Sequence, residues 1–168
     1  MNIIIFFEII LVVIFVGPNL FGMKTFIITS GSMEPLYPVG SLVYVKKVEP
    51  EEVQINDTIT FYMQDNKIIA THQVYEIDKN NKEFRTQGIN NKDDKGNIIH
   101  DAEAVKFSSL IGKTIVCIKY LGYVNRLITS KPGIYFIFLG TVIIILINYI
   151  LEKMEGERDE TWKKRKAK

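Results

Sequence analysis

The chain has 168 residues, enough for roughly one domain of ordinary size, and its formal net charge is +2. So small a net charge gives no reason to expect nucleic acid or another strongly charged partner. Because Cys117 is the single cysteine, the sequence excludes an intramolecular disulfide and a cysteine-rich metal site, and we expect no metal and no cofactor. Hydrophobic residues make up 47% of the chain and gather at its two ends.

The first apolar segment covers residues 3–21, about the length needed to cross a bilayer core of roughly 30 Å. No basic residue precedes this segment and no small-residue cleavage pattern follows it. An uncleaved anchor is therefore favoured over a removed signal peptide. Pro18 indicates a helix that kinks or ends early. We predict an N-terminal transmembrane anchor over residues 1–22.

Residues 23–132 are predicted to form a domain that is mostly β, because β-branched and polar residues alternate there between turn signals. Strands are predicted over residues 41–46, 58–62, 67–77, 83–87 and 113–120. A polar loop is predicted over residues 88–96, and loops placed by rigid strands often carry catalytic groups. No stretch of helical periodicity stands out in this domain.

The second apolar segment covers residues 134–151 and predicts a C-terminal transmembrane helix over 133–151. A charged tail, residues 152–168, follows this helix and ends in a cluster of basic residues. Basic residues beside a membrane span favour the cytoplasmic side. Two spans then place both termini in the cytoplasm and the 23–132 domain on the outer side of the cell membrane.

Residues 30–40 form the turn that points most directly to chemistry. Pro35 and Pro38 restrict the backbone there, so the turn presents the hydroxyls of Ser30 and Ser32 in a constrained geometry. A serine hydroxyl becomes a nucleophile near neutral pH only when a base removes its proton. Ser32 is therefore a candidate nucleophile, and the alternative is an ordinary loop that leaves the membrane.

Two histidines are available as the base, His72 and His100. His72 lies among apolar neighbours on one face of the long predicted strand, a position that also suits a buried core histidine. His100 follows a loop and is expected at the surface. A carboxylate that orients a catalytic histidine fixes its tautomer, and the predicted polar loop offers Asp93 and Asp94. Spacing alone does not bring these groups together.

Four ordered segments resemble the sequence boxes of type I signal peptidases. They are Ser30-Gly-Ser-Met-Glu-Pro35 with Val39-Gly-Ser41, then Ala70-Thr-His-Gln-Val-Tyr-Glu-Ile77, then Thr86-Gln-Gly-Ile-Asn-Asn-Lys-Asp-Asp94, and last Ile111-Gly-Lys-Thr114 with Lys119-Tyr-Leu-Gly-Tyr-Val124. The second box carries histidine where other members carry lysine. It is thus similar to the histidine-type branch, which covers the endoplasmic-reticulum, archaeal and a minority of Gram-positive enzymes.

The resemblance implies a signal-peptidase-like β domain, of the repressor-peptidase type, flanked by two transmembrane helices. It also implies catalytic roles for individual residues. Ser32 would attack the substrate, His72 would act as base and Asp94 would orient His72, with Asp93 as the alternative acid. The Ser30 hydroxyl would join the Ser32 backbone N–H at the oxyanion.

The function that the resemblance implies is a membrane-bound serine endopeptidase that cleaves signal peptides from exported preproteins. Its expected partners are those preproteins, the lipid bilayer and the protein-export translocon. Shallow apolar pockets near Met33 and Leu36 would select small substrate residues, beside a substrate-binding edge at residues 26–28.

Two alternatives to this function remain at this point. The family has Gly-Asp where this chain has Gly88-Ile89. This departure favours a non-catalytic, membrane-anchored assembly protein that keeps the fold. A self-cleaving relative of the repressor type is disfavoured, because those proteins use lysine in the place of His72 and lack paired anchors.

Overall fold

The computed structural model describes residues 6, 10, 12–15, 17–63 and 68–166. The chain divides into two compact units, Met1–Asn125 and Arg126–Lys168. The first unit contains the β domain, and the second contains a long helix. Between residues 23 and 132, most of the described regular structure is strand, which confirms the prediction of a mostly β domain.

The elements follow one another in the order of the sequence. The strands are β1 Met23–Ile27, β2 Leu42–Lys46, β3 Thr58–Met63, β4 Ile68–Asp78, β5 Glu83–Lys92, β6 Ile98–His100, β7 Val105–Lys106 and β8 Leu110–Ile118. The α-helices are α1 Gly17–Leu20, α2 Leu121–Thr129 and α3 Lys131–Lys166, and short 3₁₀ helices cover Gly31–Met33, Pro50–Glu52 and Phe107–Ser109.

The strands form one sheet in the order β1-β2-β8-β3-β4-β5-β6, and β7 also pairs with β5. Neighbouring strands are antiparallel, so residues directly opposite each other point to the same face of the sheet. Gln87 of β5 pairs with Gln73 of β4 on one side and with His100 of β6 on the other. Strand β5 therefore lies between the strand that carries His72 and the strand that ends just before Asp101.

Two clusters of apolar side chains form the core of the sheet. The larger consists of Val53, Ile59, Phe61, Val74, Phe84 and Val105, and the smaller of Ile28, Val43, Val45 and Ile111. Phe61 is 1% exposed and meets the His72 ring edge-on, with 6.4 Å between the ring centroids. Full burial of one such side chain contributes about 1.5–3 kcal/mol to stability. The strand that carries His72 is thus held on a rigid base.

A hydrogen bond joins the N-terminal helical segment to the sheet. Pro18 has no backbone N–H, so the carbonyl of Ile14, four residues earlier, lacks its helical donor. The Tyr44 hydroxyl on β2 donates to this carbonyl at 2.9 Å. This hydrogen bond therefore attaches the helical segment before Pro18 to the β domain.

The predicted strands are confirmed to within a few residues, although Lys67 lies outside the described residues. The loop predicted over residues 88–96 is wrong in its first half, since β5 continues to Lys92. Its polar residues can form a strand because β6 satisfies the backbone of β5 near its end, at the Lys92–Ile98 pair. The expectation of no helix in the domain is also wrong, because α2 begins at Leu121.

In the part of the chain that the structure describes, one helix is long and apolar enough to cross a membrane, over Lys131–Leu151. This segment coincides with the predicted second span over residues 133–151. The predicted first span, residues 1–22, lies partly outside the described residues. The two-span arrangement therefore stays a prediction.

Candidate active site

The two sequence-predicted catalytic side chains Ser32 and His72 lie in hydrogen-bond contact. Ser32 is in the short helix Gly31–Met33 that follows β1, and His72 is on β4, forty residues further along the chain. The distance from Ser32 Oγ to His72 Nε2 is 3.0 Å. This separation lies within the reach at which an imidazole accepts a proton from a hydroxyl.

The turn that carries Ser32 is fixed from both sides. Met33 is 1% exposed and anchors the turn in the protein interior. The carbonyl of Gly31 accepts a hydrogen bond from the Glu34 N–H and a second from the Asn90 side-chain amide on β5, each at 3.0 Å. Asn90 thus connects the turn to the strand beside His72.

Gly88 on β5 leaves the space that Ser32 occupies. His72 and Gly88 are the next residues on β4 and β5 beyond the Gln73–Gln87 pair. A Cβ atom at Gly88 would lie 2.9 Å from the Ser32 Cβ and 2.6 Å from the Asn91 side-chain nitrogen. Only glycine therefore lets the serine turn sit this close to β5.

The carboxylate in contact with His72 belongs to Asp101. Its Oδ2 lies 2.6 Å from His72 Nδ1, and the side chains of His72 and Asp101 are 15% and 17% exposed. An ionised carboxylate only accepts hydrogen bonds, so Nδ1–H donates to Asp101 and leaves Nε2 as the acceptor for Ser32. This is the tautomer that general-base catalysis by His72 requires.

The structure contradicts the placement expected for Asp94 and for its alternative, Asp93. Both lie in the exposed turn between β5 and β6. Asp93 accepts hydrogen bonds from the Lys95 N–H, from the Asn97 N–H and from the Asn97 side-chain amide. The Asn97 side chain, with its backbone N–H, lowers the pKa of Asp93. The Asp93 carboxylate therefore stabilises the turn in which it lies.

Sequence reasoning missed Asp101, and a hairpin register counted from the turn would not have found it. Lys92 pairs with Ile98, and continuing that pairing would place Asp101 opposite Ile89. A register shift between Gln87 and Lys92 instead brings the Asp101 N–H to the carbonyl of Thr86. The turn residues Asp93, Gly96 and Asn97 are typical of a hairpin, and Gly96 has a φ of 86°, but they do not reveal this shift.

Two other sequence-predicted residues are also located. Ser30 Oγ lies 3.3 Å from Ser32 Oγ, so the expected oxyanion residue is beside the candidate nucleophile. His100 is exposed, as expected, and its ring lies against Tyr75 with 3.9 Å between the centroids. His100 thus contacts Tyr75 of β4 across β5, and His72 is the histidine in contact with Ser32.

A cavity of about 340 Å³ lies beside Ser32, between the β1 segment and the first half of β4. Its lining is Phe26, Ile27, Ile28, Thr29, Ser30, Ser32, Met33, Ile68, Ile69, Ala70, Thr71 and His72. Residues 26–28 thus form one wall, as expected. Leu36, which was also expected there, is not among the lining residues and is 47% exposed.

No group of three or more histidine, cysteine, aspartate or glutamate side chains is placed to hold a metal ion among the described residues. Cys117 is half-buried on β8. Burial raises the pKa of its thiol, which disfavours the reactive thiolate form.

No protein-family model matches the chain. Signal peptidase I W of Bacillus subtilis is 42% identical over 77 residues, which cover 44% of this chain and 40% of that protein. The signal peptidase complex catalytic subunit SEC11C of Rattus norvegicus is 24% identical over 134 residues, 77% of this chain and 68% of that protein. SEC11 of Fusarium vanettenii, also a catalytic subunit by name, is 24% identical over 125 residues, 72% of this chain and 73% of that protein.

These relatives are signal peptidases of the branch that the sequence motifs indicated, so the predicted resemblance is confirmed. The chain spans less than half the length of signal peptidase I W and about two thirds of SEC11C.

Proposed function

We propose that this chain is a membrane-bound serine endopeptidase that removes signal peptides from exported preproteins. The observation that carries the proposal is the chain of contacts from Ser32 to His72 to Asp101, at 3.0 Å and 2.6 Å. The signal peptidase relatives support the same reaction. Asp101 replaces Asp94 as the proposed acid.

The proposed reaction begins when His72 Nε2 takes the proton of the Ser32 hydroxyl. Ser32 Oγ then attacks the carbonyl carbon of the scissile peptide bond. His72 returns the proton to the leaving amine as the C–N bond breaks, which leaves an acyl-enzyme ester on Ser32. A water molecule, deprotonated by His72, hydrolyses this ester. Asp101 holds the imidazole in place and stabilises its protonated form.

The oxyanion of the tetrahedral intermediate needs donors that already point at it. The backbone N–H of Ser32 lies in the first turn of a 3₁₀ helix, where N–H groups have no acceptor within the helix. The Ser30 hydroxyl lies 3.3 Å from Ser32 Oγ and is close enough to supply a second donor. These two groups form the proposed oxyanion site.

The proposed substrate binds as an added strand. Strand β5 pairs with β4 from Gln73 onward, so the β4 edge over residues 68–72 faces the 340 Å³ cavity, and β1 at the edge of the sheet forms the opposite wall. An extended peptide between them gains backbone hydrogen bonds from both edges. Because the cavity is small and largely apolar, small apolar side chains fit beside Ser32.

The membrane supplies the setting of the proposed reaction. The candidate span Lys131–Leu151 supports attachment to the lipid bilayer. With a second span over residues 1–22, both termini are cytoplasmic and the catalytic domain lies outside the cytoplasm. The protein-export translocon is the proposed source of preproteins. The SEC11C and SEC11 relatives are named as subunits of a signal peptidase complex, so partner subunits are also proposed.

The non-catalytic alternative loses its support in this arrangement. It rested on Ile89, which stands where the family has an aspartate. Since Asp101 lies against His72, the chain does not need a carboxylate at Ile89 to orient the imidazole.

The test uses the full chain in lipid vesicles with a preprotein, and it measures conversion to the mature form. We expect wild type and His100→Ala to cut, because His100 lies outside the site. Ser32→Ala and His72→Ala should lose almost all cleavage. Equal cleavage by either of these two variants and wild type would exclude the proposed mechanism. No cleavage by wild type with several preproteins would instead favour the assembly protein.

A further inference from the structure

The side chain of Asp101 is 17% exposed, but the chain before it is exposed over residues 92–100 and Asp101 itself borders a cavity of about 730 Å³. A carboxylate in such a place is free to rotate or to be hydrated unless specific hydrogen bonds fix it. The contact with His72 alone cannot fix the Asp101 carboxylate, since His72 is the group that Asp101 is meant to orient.

Thr86 contacts Asp101 at two points. The backbone carbonyl of Thr86 accepts a hydrogen bond from the Asp101 N–H at 2.9 Å. The Thr86 hydroxyl donates to Asp101 Oδ2 at 2.6 Å. One contact fixes the backbone of Asp101, and the other fixes its side chain.

The hydroxyl of Thr86 and the imidazole of His72 meet on the same carboxylate oxygen. His72 Nδ1 and Thr86 Oγ1 both lie 2.6 Å from Asp101 Oδ2. Two donors at one oxygen determine the direction in which the carboxylate points. Hydrogen bonds to an ionised group are also the stronger kind.

The fold keeps Thr86 itself immobile. Thr86 is 1% exposed and lies on β5, where it pairs with Val74 of β4. A β-branched side chain in a buried strand position has few rotamers available. The Thr86 hydroxyl is therefore a rigid donor, placed on the strand that separates His72 from Asp101.

We propose that Thr86 is a positioning residue that holds Asp101 in line with His72 and acts on the reaction only through that carboxylate. This inference rests on the proposed function for its kinetic consequence. Its structural consequence, an ordered hydrogen bond between His72 and Asp101, does not depend on cleavage.

The kinetic test compares Thr86→Val with Thr86→Ser in vesicles, with a preprotein as substrate. Thr86→Val keeps the shape and removes the hydroxyl, so we expect kcat to fall about ten- to hundredfold, the range for loss of a hydrogen bond to a charged group. KM should stay within about twofold, since Thr86 is absent from the cavity beside Ser32. Thr86→Ser should restore kcat.

A matched control is Thr114→Val, the same change in a buried strand threonine whose hydroxyl faces Thr60 at 3.4 Å. We expect it to leave kcat near wild type. In an Asp101→Ala background, Thr86→Val should have no further effect on kcat, because the group through which it acts is gone. A further loss of the same size in that background would overturn the proposal.

A spectroscopic arm separates this proposal from the proposed function. The His72 Nδ1 proton, shared with a carboxylate, should give a far-downfield proton NMR signal that Asp101→Ala abolishes. The signal should persist in wild type and Thr86→Ser and weaken in Thr86→Val. An unchanged signal in Thr86→Val would overturn the proposal, even if wild type cleaves no preprotein. If Thr86→Val does not fold, Thr86→Ala provides the same comparison.

Discussion

Asp93 and Asp101 lie before and after strand β6, and their carboxylates accept hydrogen bonds from different kinds of partner. Asp93, before the strand, accepts hydrogen bonds from Lys95 and Asn97, two and four residues away. Asp101, after the strand, accepts from Thr86 and His72, fifteen and twenty-nine residues away. The hydrogen bonds to the Asp93 carboxylate come from its own turn. Those to the Asp101 carboxylate come from β4 and β5, so Asp101 connects these two strands to the end of β6.

This difference separates a local structural role from a role in the site. When the donors of a turn occupy the carboxylate of its own aspartate, that carboxylate is not available to accept a hydrogen bond from a distant histidine. An aspartate whose partners come from other strands is available only after the sheet has formed. The proximity of Asp93 and Asp94 to the family's sequence box is therefore a poorer guide than the register of β5 and β6.

The largest expected effect comes from removing the Asp101 carboxylate. Asp101→Ala should lower kcat for preprotein cleavage about 10³- to 10⁴-fold, because the imidazole loses the group that fixes its tautomer. Asp93→Ala and Asp94→Ala should stay within about twofold of wild type. Cleavage rates of the three variants, measured side by side in vesicles, show which aspartate orients His72. A large loss in Asp94→Ala alone would favour Asp94, the acid that the family resemblance implied.

A second expected effect concerns the space between the strands. Gly88→Ala adds a methyl group that would meet the Ser32 Cβ at 2.9 Å, so Ser32 must move away from His72. We expect cleavage to fall about hundredfold, as for a misplacement of about 1 Å at a reacting group. Gly140→Ala, where a Cβ meets nothing within 4 Å, is the matched control. Equal activity of the two variants would show that Ser32 tolerates the shift.

A tertiary hydrogen bond outside the site should affect stability and leave activity almost unchanged. Tyr44→Phe removes the donor to the Ile14 carbonyl and should lower the free energy of unfolding by about 1 kcal/mol, with cleavage little changed. In a Pro18→Ala background the helix regains its own donor, so the same substitution should cost less. Thermal unfolding of the four proteins measures this coupling. Equal costs in both backgrounds would mean that Tyr44 does not replace the missing helical donor.

The smallest expected effect is the pH dependence of the turn. Hydrogen bonds from Asn97 lower the pKa of Asp93, so the folded turn favours the charged carboxylate. Its contribution to stability is present above the unfolded pKa of about 3.9 and is lost as pH falls through the lower folded value. NMR titration should place the Asp93 midpoint below about 3.9. A midpoint above that value would show that the turn does not stabilise the charge.

The sequence indicated the candidate nucleophile and base because each lies in a short segment that resembles a family box. Ser32 follows a glycine and precedes two prolines, and His72 lies on a long alternating strand. Residue spacing alone did not bring the two side chains together, whereas the resemblance to the family implied their roles.

Asp101 required information that no short motif contains. Its position depends on the pairing of Gln87 with His100 and on the length of the turn between β5 and β6. A polar run such as residues 88–92 forms a strand only because a neighbouring strand pairs with it. Helix α2 was missed for a similar reason, since the Gly122 N–H is bound by the carbonyl of Gly40 from a distant loop.

Trapping the acyl-enzyme tests directly whether Ser32 is the nucleophile. Wild type is mixed with a preprotein, quenched in acid within a turnover, digested and analysed by mass spectrometry. We expect an ester between Ser32 Oγ and the carboxyl end of the signal peptide, which accumulates in wild type and is absent in His72→Ala and Asp101→Ala. Cleavage without this ester, or an ester on another residue, would contradict the proposed mechanism.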